Sequence, residues 1–205
     1  MGTASRPNRA RVFINLPFDS AHERLYLALI AGLSALGFTP RCVLQIPGGG
    51  RDRLRRLYDL IQECGSSVHD LSCVGVSPDA PHVPRFNMPF ELGLAAAIAQ
   101  NQRHRWFVLE ARPYRLQKSL SDVNGYDPFI HQRTSVGVLR ALKNAFITTR
   151  KQPSVDDLVA VNEKLSLAAR ALRTTRYGAR SVFEASVFEE LVGAAMAISK
   201  GLGIP

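Results

Sequence analysis

Apolar positions along this chain alternate between a strand-like and a helical period. Arg11 to Leu16, RVFINL, is a short β-rich run. Ser20, with Glu23 three residues on, has the pattern of a capping box, and the helix it opens carries Leu25, Leu29, Leu33 and Leu36 on one side until Gly37 stops it. Pro40 to Gln45 reads as a second strand. The loop Ile46 to Gly50 then leads into a second helix with Leu54, Leu57, Tyr58 and Ile61 on its apolar side. Ser67 to Val74 is a third strand, Pro89 to Gln100 a third helix and Trp106 to Glu110 a fourth strand. This alternation predicts an α/β fold, an open, mostly parallel flavodoxin-like sheet with helices on both faces.

Past Ala111 the pattern weakens. Arg112 to Ile130 is turn-rich, and Ser135 to Thr149 reads as a helix. Pro153 and Ser154 mark a junction, after which Val155 to Arg173 and Ser181 to Lys200 form two helices joined across RTTRYGAR. The last helix carries Val182, Phe183, Val187, Phe188, Leu191, Val192 and Ala195, a stripe too wide for a solvated face, so it must pack on the domain or on a second subunit. The expected organisation is a flexible N-terminus over residues 1–10, an α/β domain over 11–150 and a C-terminal helical extension over 151–205.

Composition fits a globular chain: 46% hydrophobic and 21% charged residues exclude a disordered one. No window approaches eighteen consecutive apolar residues and the opening MGTASRPNRAR lacks the apolar core of a secretory signal, so a cytoplasmic protein without membrane partners is expected. Cys42, Cys64 and Cys73 lack metal-ligand spacing, so buried thiols and no metal are expected. The formal net charge of +9 is spread over the first eleven residues, Arg51 to Arg56 and Arg140 to Lys151, without interleaved aromatics. A phosphorylated small molecule or an acidic partner accounts for it as well as a nucleic acid does.

Ligands of open α/β sheets sit beyond the carboxyl ends of the strands, here the loops after Leu16, Gln45, Ser72 and Glu110. The first loop offers Asn15, Pro17, Phe18 and Asp19. If Ser20 is the cap, Asp19 is left to accept hydrogen bonds from a sugar; if Asp19 is the cap, it is spent. The second, PGGGRDRLRR, matches neither a Walker loop nor the dinucleotide fingerprint, yet three glycines feeding a helix can expose amides to an anion. Arg51, Arg53, Arg55 and Arg56 crowd that helix start, where positive charge costs roughly 0.3 to 1 kcal/mol per exposed residue. An anionic ligand relieves the conflict, and plain solvation tolerates it.

The third loop follows Asp70, a carboxylate inside an otherwise apolar strand. The loop Gly75 to Phe86 is placed to cover the cleft, and Arg85 at its end can pair with either nearby acid. The most informative stretch is PRFNMPFELGLAAAIA, residues 84 to 99. Asn87 can cap a helix with Pro89 at its second position, so Glu91 falls in or just after the first turn, with Met88 beside the entry. Leu92, Leu94, Ala95 and Ile98 surround Glu91 with apolar neighbours. Such a carboxylate either serves a ligand or answers the helix dipole at the rim of the core.

These motifs, VFINLPFD, GFTPRCVL, HDLS, PRFNMPFELG and SDVNGYDPFIH, together resemble the superfamily of nucleoside 2-deoxyribosyltransferases, nucleotide N-glycosidases and Toll/interleukin-1-receptor-like NAD hydrolases. The resemblance covers about residues 11 to 150. It puts the catalytic glutamate of a Glu-Leu-Gly-x-Ala motif on Glu91, with Gly93 and Ala95, and the strand-three acid on Asp70. Pro17 and Phe18 match the strand-one turn, and Asp122, Gly125, Asp127 and His131 match the last motif. The transferases' Tyr-Leu-Ala-Gly-Pro is replaced here by Phe13-Ile14-Asn15-Leu16-Pro17, which favours glycosidic cleavage over transfer between bases.

The resemblance implies an N-glycosidase that cleaves the base–ribose bond of NAD(P) or a nucleoside monophosphate. No cofactor is required. Glu91 would be nucleophile or oxocarbenium stabiliser, with Asp19 and Asp70 on ribose hydroxyls or the base. Arg51, Arg53 and Arg85 would take phosphates and Phe18 would stack on a base, while Asp70 or His131 would serve as proton donor where the leaving base needs one. Asn15, Asn87, Met88 and Asp122 complete the expected contacts. A homodimer or higher oligomer and a role in phage defence or nucleotide metabolism are expected. The alternatives are a nucleotide-sensing module that binds without cutting, an assembly module that pairs through its last helix, and a nucleic-acid binder.

Overall fold

The structure is a computed structural model that describes residues 7–46, 52–73, 85–101, 103–123, 125–147, 152–175, 178–179 and 181–204. Strands β1 (Asn8–Asn15), β2 (Thr39–Arg41), β3 (Cys64–Asp70), β4 (Arg105–Glu110) and β5 (Phe129–Ile130) form one sheet in the order β2-β1-β3-β4-β5. The β1–β3, β3–β4 and β4–β5 pairs are all parallel. This is the flavodoxin-like order, and the α/β class read from the sequence holds. Val12, Phe13 and Ile14 are fully buried, as expected of a central strand covered on both sides.

The chain divides into two compact units, residues 1–17 with 41–132 and residues 18–40 with 133–205. In the first, helices α2 (Arg53–Glu63) and α3 (Asn87–Asn101) lie on the sheet. Leu57, Leu60 and Ile61 of α2 and Ala95 and Ile98 of α3 close over Phe13 and Cys64. A second cluster joins Met88 and Leu92 to Leu71, Val108 and Leu116, the last from the short helix α4 (Leu116–Ser119).

The β1–β3 register shifts between Asn8 opposite Cys64 and Val12 opposite Ser66, so β1 bulges past Gly65. A Cβ on Gly65 would lie 2.6 Å from the Arg9 Cα and 3.1 Å from the Asn8 carbonyl oxygen, both backbone atoms that cannot swing aside. Gly65→Ala is therefore expected to cost about 1 to 3 kcal/mol, read as a lower urea midpoint.

In the second unit, α1 (Glu23–Ala35), α5 (Ser135–Ala145), α6 (Val155–Arg173) and α7 (Ala185–Gly201) pack on one another. Every residue of α1 from Leu25 to Ala35 is buried, so α1 is a core helix rather than one with a single apolar side. Gly32 permits its close approach to Leu139 and Leu142 of α5. Thr134 caps α5 by accepting from the Gly137 amide at 3.0 Å. The apolar stripe of α7 is covered within the unit, with Val187, Phe188, Leu191, Val192 and Ala195 buried. A two-stranded antiparallel pair, β6 (Thr174–Thr175) and β7 (Gly178–Ala179), links α6 to α7.

Several boundaries differ from those read in the sequence. Only Thr39–Arg41 of the second predicted strand is extended. Val43–Gln45 coils into a 3-10 turn because the Gln45 side-chain oxygen accepts from the Cys42 amide at 3.2 Å and Arg41 Nε at 2.7 Å. The third strand starts three residues early, at Cys64, and ends at Asp70. Strand β5 emerges from the turn-rich stretch. Helix α3 already includes Asn87, and the Phe90 amide bonds the Phe86 carbonyl, so Asn87 is a helical residue rather than the cap, while Glu91 falls just after the first turn as expected. Ser20 does not cap α1: His22 holds that position, and Glu23 pairs with Arg173.

Candidate active site

Glu91 opens into a pocket of about 320 Å³ between the 3-10 turn after β2 and the starts of α2 and α3. Val43, Ile46, Leu54, Leu57 and Phe90 supply apolar walls, and Arg53 and Asn87 are its other polar lining residues. Glu91 is only 8% exposed and makes no hydrogen bond or ion pair with another described residue. Its neighbours explain this. Leu92, Ala95 and Ile98 turn into the core on the same helix and draw the Glu91 backbone inward. Burial pushes the Glu91 carboxyl up to about 7, and the Arg53 charge partly offsets that rise. A group so placed is present in both protonation states at neutral pH, which suits it to move a proton or meet developing positive charge.

The start of α3 is held from β1. Asn15, itself buried, donates its side-chain amide to the Met88 carbonyl at 2.9 Å and to His69 Nδ1 at 2.9 Å, which uses both of its hydrogens. From there a hydrogen-bonded chain runs back along β3: His69 Nε2 to the Ser67 hydroxyl at 2.8 Å, that hydroxyl to His104 Nε2 at 2.9 Å, and His104 Nδ1 to the Cys64 carbonyl at 2.9 Å. The Cys64 carbonyl only accepts, so His104 Nδ1 carries the proton and Ser67 donates to Nε2. His69 then donates to Ser67 and accepts from Asn15. Burial keeps both rings neutral, pushing His69 down to about 3 and lowering His104.

The sequence-predicted residues divide sharply. Glu91, Arg53 and Asn87 line the pocket together. Asn15 and Met88 position the helix that carries Glu91 rather than facing a ligand. Asp70 and His131 are corrected as proton donors. Both are fully buried and face each other, Asp70 Oδ1 to His131 Nε2 at 3.4 Å, with the same oxygen accepting the Ser72 amide at 2.9 Å, and neither lines the pocket. Burial alone would raise the Asp70 pKa, but His131 and Ser72 hold it below the ordinary carboxylate value.

Asp19 is corrected as a free sugar acceptor, because its Oδ1 takes His22 Nδ1 at 2.7 Å and the His22 amide at 3.1 Å. Phe18 is corrected as a base platform: it packs against Tyr26 and Phe183, ring centroids 5.9 and 6.0 Å away. Pro17 is buried, Arg85 is half-buried and Asp122 is exposed, all three outside the pocket lining. Arg51 and most of the proposed cover loop lie outside the described residues.

Sequence reasoning missed the pocket walls. Leu54 and Phe90 are 54% and 52% exposed although each belongs to a helix with a buried side. Two large apolar side chains left open beside an acid are the signal that finds them. Among the described residues no cluster of three or more His, Cys, Asp or Glu is arranged to hold a metal ion, and no helix is long and apolar enough to cross a membrane. Comparison with protein-family models, with curated proteins and with solved structures finds no match to this chain.

Proposed function

We propose that this protein is an N-glycosidase that cleaves the base–ribose bond of a nucleotide, NAD(P) or a nucleoside monophosphate, with Glu91 as its catalytic carboxylate. The observation that carries this reading is a buried acid without a protein partner among the described residues, opening into ligand space beside an arginine. Rupture of an N-glycosidic bond builds positive charge at the anomeric carbon. An ionised Glu91 in an apolar pocket opposes that charge at short range, or attacks the carbon, far more effectively than a hydrated carboxylate would. Arg53 takes a phosphate, Asn87 a sugar hydroxyl, and the exposed ring of Phe90 replaces Phe18 as the platform for a base.

With Asp70 and His131 engaged elsewhere, Glu91 is the one carboxylate lining the pocket among the described residues. Its pKa of about 7 makes the pH profile diagnostic. A cationic nicotinamide leaves without a proton, so kcat/KM on NAD should rise through pH 7 as Glu91 ionises. A neutral base needs a donor, so kcat/KM on a nucleoside monophosphate should fall over the same range.

The test is base release, followed chromatographically, from NAD, NADP and the nucleoside monophosphates. The wild type should release base from at least one, and Glu91→Gln should lose at least about 100-fold. No release from any of them, or equal release by the variant, would sink the reading.

A further inference from the structure

The far end of α3 leads to a second, larger cavity. Asn101 follows Glu91 by ten residues, about 15 Å of helix. Just beyond it Arg103, His104 and Arg105 join Arg9, Gly65 and Ser66 around a concavity of about 500 Å³, at the starts of β3 and β4.

We propose that this cavity is a second ligand site, separate from the Glu91 pocket, that takes the phosphate groups of a small phosphorylated molecule. Three arginines line it and no carboxylate does. Arg11, two residues from Arg9, has Glu63 as a partner at 3.1 Å, whereas Arg9 and Arg103 make no ion pair with any described residue. Like charges such as Arg9 and Arg103 around one concavity repel, and a multiply charged anion removes that cost.

Ser66 is the small polar residue of the wall. It is 3% exposed, lines the cavity, and its side chain makes no hydrogen bond with another described residue. Gly65 keeps the wall open, since any side chain there meets the β1 backbone. The Arg105 guanidinium lies 5.4 Å from the centre of the Phe107 ring, which restricts its head group. The volume suits a nucleotide or a sugar phosphate, and no aromatic ring lines the cavity to stack the bases of a single strand.

Isothermal titration with pyrophosphate and with ATP as probes tests the proposal. Both should bind wild type and Glu91→Gln alike, and at least tenfold more weakly to the Arg103→Gln/Arg105→Gln double variant, whose melting temperature and base release should match the wild type. Should that variant fail to fold, Arg9→Gln carries the same expectation. No binding at millimolar probe would overturn the site. So would loss of binding in Arg53→Gln but not in the double variant, or displacement of ATP by a DNA duplex that binds more tightly.

Discussion

Glu91→Gln should unfold about 3 kcal/mol less readily than the wild type at pH 8 and hardly differ from it at pH 4.5. The folded-state pKa of Glu91 is raised, from 4.5 to about 7, because burial penalises the charged form more than Arg53 relieves it. A group raised in this way gives stability that is present below its unfolded pKa and is lost as pH rises through the folded one. At about 1.36 kcal/mol per pH unit, a gap of about 2.5 amounts to roughly 3 kcal/mol. Glutamine keeps the shape and avoids the buried charge. For a chain of this size the gain corresponds to a melting shift of roughly 6 to 12 °C at pH 8. A stabilising change at the proposed catalytic carboxylate is the stability–activity conflict expected of a working site.

His69→Gln should show the opposite dependence on acid. The folded-state pKa of His69 falls from 6.5 to about 3, first through burial and then through the neighbouring His104. Its folded state resists a proton that the unfolded chain accepts, so stability is full above pH 6.5 and is lost as pH falls toward 3. Between pH 7.5 and 4.5 that loss is about 3 kcal/mol. It nearly cancels the gain from Glu91 over the same interval, and wild-type stability should change little from these two groups. Removing one exposes the other. On acidification to pH 4.5, urea midpoints of Glu91→Gln should fall relative to the wild type, while those of His69→Gln should rise relative to it. Parallel slopes in both variants would mean that neither group is buried as described.

The sequence made the α/β order legible because each long element carries its own period. β1 and β4 are apolar runs, and α2, α3 and α5 to α7 repeat at helical spacing. What it concealed was set by contacts outside the local pattern. Two residues, Phe129 and Ile130, become a strand only because β4 is there to pair with them. The 3-10 turn after β2 depends on one Gln45 side chain reaching back to Arg41 and Cys42.

The site shows the same division. Glu91 was visible because its apolar company lies within seven residues on one helix. Asp70 misled because its position on β3 gave no sign of His131, sixty-one residues later, which faces one of its carboxylate oxygens in the interior. Asp19 was spent on His22 instead of a sugar, so of the two readings open in the sequence the one that leaves it free fails. The chain from Asn15 through His69 and Ser67 to His104 joins β1, β3 and the loop before β4, and no spacing rule announces it.

The most direct measurement is the position of an intact nucleotide in crystals of Glu91→Gln soaked with NAD or a nucleoside monophosphate. The anomeric carbon should lie within about 3 to 3.5 Å of the residue 91 side chain, the separation at which a carboxylate can attack or screen it. A nucleotide seated with its sugar away from residue 91, or no nucleotide in that pocket at all, would contradict the account.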